Sequence, residues 1–438
     1  MKLRFLAKLE PAEERFTSLA LNNSLKYFMK KQFAAASAIG MALAGSLCAQ
    51  SLFDLAPDDD QKESLPLKWS VGANLGHDNN PTPLLGNDDE SAYGQAYVGA
   101  TFLTNTPQTT LSFGTQLGVI HYFDNLDVLG TDVDDTSFTA SLYLNWTHRL
   151  SERLRIVSRN TFSYELEPDY STGFQSQRQI GNYLRWSTDN ALGYRWSERL
   201  ATYTGIRLNG LSYDETDLAD RDTILAYNDF RYQLSDRTVT TLTYRHAQTT
   251  GGGAVTDSTN QYVLAGLEHR FSPQTTGVIR AGVQIRDVDK GQSGTSPYAE
   301  ASLKTQINEQ LSLKAYGRYG IEDYARALRD LNTRVFSVYS DTDSLRLGLT
   351  ANYQISQDLA LNAGVNYAGM EYNNLLSGQS PRAAASVGEN LLNTYVGFDL
   401  KVSDNVYLNG RYNVEDLESD AGRDYDRNRF SVGVSTTF

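Results

Sequence analysis

Cysteine is almost absent from this chain of 438 residues: the single Cys48 leaves no disulfide framework to staple a fold. Proline is scarce at 10 residues, and histidine numbers only 5, with no pair at the helical or strand spacing of a metal site. Also missing is any mature stretch of ~20 consecutive apolar residues, which excludes a helical membrane protein. That absence leaves a β-barrel open, because only alternate residues of a barrel strand face lipid. Nor is there an excess of positive charge: 39 basic residues stand against 52 acidic ones, a net charge of −13 that makes nucleic acid an unexpected partner. No phosphate-binding loop or nucleophile elbow is present, and no enzymatic activity, cofactor or metal is expected.

The one sustained apolar stretch runs from Phe33 to Ala49 behind Lys30-Lys31 and ends in Cys48-Ala49-Gln50. A basic start, a short apolar centre and a small-residue end form the pattern of a secretory signal peptide, placed at 29–49. Residues 1–28 then stand as a misassigned N-terminal extension before Met29. Residues 50–66, with Asp58-Asp-Asp-Gln-Lys-Glu-Ser64, make a solvated periplasmic linker, and a single barrel domain occupies 67–438. Cleavage after Ala49 leaves a mature chain with no cysteine.

What the chain has in quantity is tyrosine (27), glycine (34) and a recurring phrase. The phrase returns as Arg149-Leu-Ser-Glu-Arg-Leu154, Arg195-Trp-Ser-Glu-Arg-Leu200, Gln233-Leu-Ser-Asp-Arg-Thr238 and Arg270-Phe-Ser-Pro-Gln-Thr275. It continues as Gln306-Ile-Asn-Glu-Gln-Leu311, Gln354-Ile-Ser-Gln-Asp-Leu359 and Lys401-Val-Ser-Asp-Asn-Val406. Each copy closes one alternating segment and opens the next, at intervals of about 35–50 residues, the length of two strands and a loop. Alternating runs fall near 67–78, 92–103, 109–122, 136–149, 153–165, 180–195, 199–213, 222–234 and 237–248. They continue near 260–271, 275–287, 295–307, 310–323, 342–354, 358–372, 390–402, 405–417 and 427–438. The expected fold is an all-β, antiparallel, up-and-down transmembrane barrel of about 18 strands, with 16 as the alternative, short periplasmic turns and long outer loops.

The alternation separates two faces. Leu311, Leu313, Ala315, Gly317, Tyr319 and Ile321 oppose Ser312, Lys314, Tyr316, Arg318 and Gly320. Leu345, Leu347, Leu349, Ala351 and Tyr353 oppose Arg346, Gly348, Thr350, Asn352 and Gln354. A period of two puts each set on one side of the sheet, and the small and charged set suits a wet lumen. Aromatic residues gather at strand ends: Trp69, Phe102, Trp146, Trp196, Phe271, Tyr353 and Phe398 near the short turns, and Tyr122, Tyr164, Tyr213 and Tyr372 near the long loops. Two aromatic belts at the membrane interfaces account for this, as does the general preference of aromatics for strands.

The turns, the early Gly76-His-Asp-Asn-Asn80 segment and the terminal alternation resemble the β-barrel porin families of Gram-negative outer membranes, from Trp69 to Phe438. The terminal residues carrying the resemblance are Phe430, Val432, Val434, Thr436 and Phe438. In such proteins the last strand is the signal read by the barrel assembly machinery, which assigns that role here to Phe430, Val432, Val434 and Phe438. The resemblance also implies outer-membrane lipid and lipopolysaccharide as surroundings.

Extending the alternation around the barrel gives candidate pore-lining residues: Arg185, Arg207, Arg231, Arg245, Arg280, Arg286, Lys314, Arg318, Arg346 and Arg411. The inward acids Asp189, Asp229, Glu268, Glu300, Glu322, Asp399 and Glu415 are fewer. Two readings stand: a net basic wall selecting anionic or hydroxyl-rich solutes, or arginines that cross-brace the wall against those acids. The outer loops are acidic at Asp88–Glu90, Asp132–Asp135, Asp214 to Asp220 and Glu418 to Asp426, either solvated or cation-binding through oxygen. Of the two long loops, Ala325–Thr342 either turns inward over the pore or extends outward, with Val335–Tyr339 as the top of a tall strand; the other is Asn373–Glu389. His121, His246 and His269 belong to the outward face. The expected function is passive passage of small hydrophilic solutes. The alternatives are a barrel binding lipopolysaccharide, matrix or a partner through its loops, and one associated with polysaccharide export.

Overall fold

The computed structural model describes residues 65–82, 90–124, 134–167, 182–214, 220–252, 257–289, 291, 293–322, 326–329, 336–375 and 384–438. The expected extension, signal peptide and most of the linker lie outside these residues, as do Asp88, Asp89, Asp132, Glu215 and Asp217. The wall begins with β1 (Leu65–Asp78), two residues ahead of the expected boundary, followed by β2 (Ser91–Asn105) and β3 (Thr109–Tyr122). Next come β4 (Thr136–Arg149), β5 (Leu154–Glu165), β6 (Tyr183–Arg195), β7 (Leu200–Tyr213), β8 (Arg221–Ser235) and β9 (Thr238–Gly251). Then follow β10 (Ser258–Ser272), β11 (Thr275–Val288), β12 (Gly294–Gln306), β13 (Leu311–Glu322) and the short β14 (Arg326–Arg329). The wall ends with β15 (Phe336–Gln354), β16 (Leu359–Leu375), β17 (Val387–Lys401), β18 (Val406–Ser419) and β19 (Tyr425–Thr437).

Every described pairing is antiparallel between chain neighbours, except that β13 pairs β15 directly and β19 pairs β1. Since β14 pairs only the top of β15, the closed ring has 18 strands. Closure runs from Ser70 opposite Thr437 to Asp78 opposite Arg429, and is clamped below by reciprocal main-chain bonds between Trp69 and Phe438 of 2.8 and 2.9 Å. In hydrocarbon an unpaired strand edge is not tolerated, so this seam is a condition of insertion.

The recurring phrase has a local cause. Its third residue hooks the turn: the Ser151 hydroxyl accepts from Leu154 N–H, as do Ser197 from Leu200 and Ser356 from Leu359. Asn308 does the same through its side-chain carbonyl, accepting from Gln310 and Leu311 at 2.9 and 2.8 Å. Side-chain oxygens of this kind stabilise a tight reversal by imitating a main-chain acceptor. At the last turn Lys401 holds Asp404 at 2.9 Å, and the ammonium keeps that carboxyl below its ordinary range.

Register assigns the faces. Outward stand Trp69, Val71 and Leu75 on β1, Leu345, Leu347 and Leu349 on β15, and Phe430, Val432 and Val434 on β19, each between 39% and 67% exposed. Inward stand many of the glycines and tyrosines. At five lumen-facing glycines a tyrosine from the paired strand lies over the glycine: Tyr97 over Gly72, Tyr143 over Gly114, Tyr227 over Gly205, Tyr316 over Gly348 and Tyr395 over Gly364. A Cβ on any of these glycines would come within 2.5 Å of the ring, so the two residue types are required together. Three of the four upper tyrosines differ from expectation, while Tyr164 is outward by register. Tyr122, Tyr213 and Tyr372 point into the barrel and are at most 5% exposed, while Phe123 and Phe138 are the exposed aromatics at that rim. The lower belt does face outward, with Trp69, Trp196, Phe271 and Tyr353 exposed.

Gly114→Val is expected to destabilise the folded barrel by about 1–3 kcal/mol, the usual cost of overpacking. The loss of heat-modifiable gel migration would report it, and the double variant Gly114→Val, Tyr143→Ser should recover much of the folded band.

Candidate functional site: the inner wall

The register brings all ten sequence-predicted basic residues to the inner face. They are unequally placed. Nine lie on one arc, β6 to β15, and Arg411 lies apart on β18, its guanidinium 4.3 Å from the Tyr395 ring centre.

On the charged arc the arginines lie along the wall and engage acids. Arg207 on β7 meets Asp189 on β6 at 2.6 Å, and the Tyr227 hydroxyl donates to the same carboxylate at 2.8 Å. Arg231 bonds Glu268 at 2.6 Å, with side chains 1% and 0% exposed. Thr243 donates to Asp229 at 2.6 Å, beside Arg231. Glu300 collects Arg245 at 2.7 Å, Arg280 at 3.1 Å and the Tyr298 hydroxyl at 2.8 Å. Arg346 forks onto Glu322 at 2.8 and 2.6 Å, and Arg318 contacts the same carboxylate. The cross-bracing reading therefore describes these pairs. Arg185 and Lys314 are half-buried, and Lys314 sits directly opposite Lys304 across the β12–β13 ladder.

The complementary arc, β16 through β19 and on to β4, carries fewer charges, among them Arg411 and Glu415 on β18 and Asp399 on β17, with Glu415 directly opposite Asn393. Asn366, Asn393 and Asn413 form a run of side-chain amides across three strands, with Asn393 donating to Asn413 at 3.0 Å. Asn74 donates to Gln95 at 3.3 Å further round. Ring closure sets these amides across the lumen from the charged arc.

Two features of the upper mouth were outside the sequence reading. First, Arg427 bonds Asp78 at 3.0 Å through Nε and Glu167 at 2.6 Å, joining the first strand, the last strand and the segment after β5. Second, the wall folds in between β12 and β13. Their pairing stops at Ala299–Tyr319; two positions on, the register would set Pro297, which has no N–H, against Ile321. The Gln284 amide of β11 takes that place, donating to Ile321 O at 2.9 Å and accepting from Ile321 N at 3.1 Å. Above it Arg286 binds Asp341 at 2.8 Å and the Ser340 carbonyl at 2.9 Å, tying the top of β15 to β11 over the intervening strands. Ser337, Tyr339, Ser340, Asp341 and Thr342 are accordingly 0–3% exposed. The segment expected as a tall outward strand is a strand, but it leans over the mouth.

The acidic outer loops serve the main chain where they are described. Asp424 accepts from Ser419 N–H at 2.7 Å, and Asp420 accepts from Gly388 N–H at 3.0 Å. The five histidines all lie on the outward face by register; His148 pairs with Thr109 at 2.7 Å and His269 with Thr238 at 2.9 Å.

Arg231→Met should leave Glu268 buried without its partner and cost about 3–5 kcal/mol, while Arg231→Met with Glu268→Leu should lie near the parent. Denaturant unfolding in phospholipid vesicles measures both, as a double-mutant cycle.

No family model matches the chain, and no curated protein does. Among solved structures it is similar to OccAB4 of Acinetobacter baumannii, with TM-score 0.44 and 12% identity over 87% of this chain and 100% of that one. It is similar also to OpdK of Pseudomonas aeruginosa determined with vanillate, with TM-score 0.45 and 12% identity over 85% and 99%. The siderophore receptor PirA of the same organism gives TM-score 0.41 and 11% identity over 86% and 81%. Likeness at this level bears on neither solute nor mechanism. Ring closure, an apolar outer face and a polar inner face make this chain a transmembrane β-barrel of the outer-membrane type.

Proposed function

We propose that the barrel is a porin-like channel for passive passage of small hydrophilic solutes, with anionic and hydroxyl-rich molecules favoured. The observation that carries this is the division of the inner wall into a charged arc and an amide arc. A ring of this strand number encloses an aqueous channel rather than a packed core. On the charged arc nine bases face the acids Asp189, Asp229, Glu268, Glu300, Glu322 and Asp341, so the pairing leaves a net positive field. Lys304 and Lys314, side by side near the lower mouth, add like charges that a passing anion relieves. The Asn366–Asn393–Asn413 run offers donors and acceptors to hydroxyls on the other side.

In planar bilayers the reconstituted barrel is expected to conduct with anions preferred in 0.1 M salt, where the screening length is about 10 Å. The preference should shrink in 1 M salt, where that length is about 3 Å. Lys304→Glu with Lys314→Glu should lower the anion-to-cation permeability ratio. A barrel that never conducts, or one that prefers cations at low salt, would sink this reading. Arg286→Met, which frees the top of β15, should raise single-channel conductance without reversing selectivity.

A further inference from the structure

The outer face is not apolar all the way round. On β5 the outward residues between Ile156 below and Phe162 above are Ser158 and Asn160. On β6, between Leu192 and Trp186, they are Asn190 and Thr188. Outward Thr202 and Thr204 on β7 lie below Ile206, and Asn228 on β8 lies between Phe230 and Ile224. The outward assignment is independent of the alternation: Ile206 is 52% and Phe230 49% exposed, while inward Val157 and Tyr203 are 3% and 1% exposed.

These side chains form two adjacent hydrogen-bonded groups, one on β5 and β6 and one on β7 and β8. Ser158 donates to Asn190 at 2.7 Å, Asn160 to Ser158 at 3.0 Å, Asn190 to Thr188 at 2.6 Å and Asn228 to Thr204 at 2.6 Å. At comparable positions on β15 and β19 stand Leu345, Leu347 and Leu349, and Phe430, Val432 and Val434. Asn160 donates also to the Leu144 carbonyl at 3.3 Å, but each amide carbonyl has two lone pairs, more accepting capacity than these internal bonds consume. Lipid chains supply no partner for the remainder, so the field is unfavourable on a barrel surrounded by lipid alone.

We infer that this face is an interface, and that its occupant is a second copy of this chain. The field is uncharged, and every side chain in it both donates and accepts, so the same patch presented by another barrel about a two-fold axis complements it. Its small residues, with Ala226, keep it flat for close approach. Trp186, Tyr194, Phe230 and Tyr232 stand around it as the aromatic anchors that interfaces favour. The association proceeds within the membrane, and each barrel keeps its own lumen.

The test is made in isolated outer membranes from cells expressing a Cys48→Ser background, which has no other cysteine. Asn190→Cys and Thr204→Cys are oxidised in place, with Val434→Cys as the control on the apolar face. A disulfide-linked band at twice the barrel mass for the patch positions, absent for Val434→Cys, is the expected result. In mild detergent the unmodified protein should sediment as a dimer. The variant Asn160→Leu, Asn190→Leu, Asn228→Leu should sediment as a monomer that remains heat-modifiable, since leucine on this face suits lipid. Equal cross-linking on both faces, cross-linking only to a different protein, or a monomeric unmodified protein that links nowhere would overturn the inference.

Discussion

Everything in this molecule follows from the need to pair a main chain inside hydrocarbon. A strand edge that water would solvate has no partner in lipid, so the sheet must meet itself. The meeting is made by β1 and β19, and the reciprocal bonds between Trp69 and Phe438 set its lower end. Arg427, drawn to Asp78 and Glu167, sets its upper end. Between these clamps the register is fixed for the whole ring, because each strand inherits its alignment from its neighbour. The seam thus decides which side of every other strand is wet.

Within that ring the lining is thin because of how it is built. Tyrosines laid over glycines cover the inner wall with flat rings instead of upright side chains, and arginines lie along the wall towards their acids. Both arrangements keep bulk out of the centre. They also explain why a chain with abundant tyrosine and 21% charged residues spans a membrane while its mean hydropathy is −0.44. The lipid-facing alternate residues are a minority, and hydropathy averages them away.

Much of this was legible in the sequence. A period of two assigned the faces of Leu311–Ile321 and of the terminal strand correctly, and the third residue of the recurring phrase marked the turns. These signals are local: a side chain's face depends on parity, and a hydroxyl hook depends on residues three positions away. The bond between Asp78 and Arg427 was not legible, because it joins residues 349 positions apart and neither differs locally from any surface charge. Nor was the inward fold at Pro297. Gln284 has nothing in its local sequence to mark it, and its role as a surrogate strand exists only once β11 and β13 are side by side. The upper tyrosines misled for a related reason. Tyr122 and Tyr372 sit at strand ends, as belt residues do, but their parity is inward, and position along a strand was given more weight than face.

The inward fold of β13 and β15 has a consequence for how the protein can change. Among the described residues it is part of the wall itself, held by Gln284 and Arg286. A substitution at either of these two residues therefore acts on the top of whole strands, while substitutions in the short turns at the opposite end leave it in place.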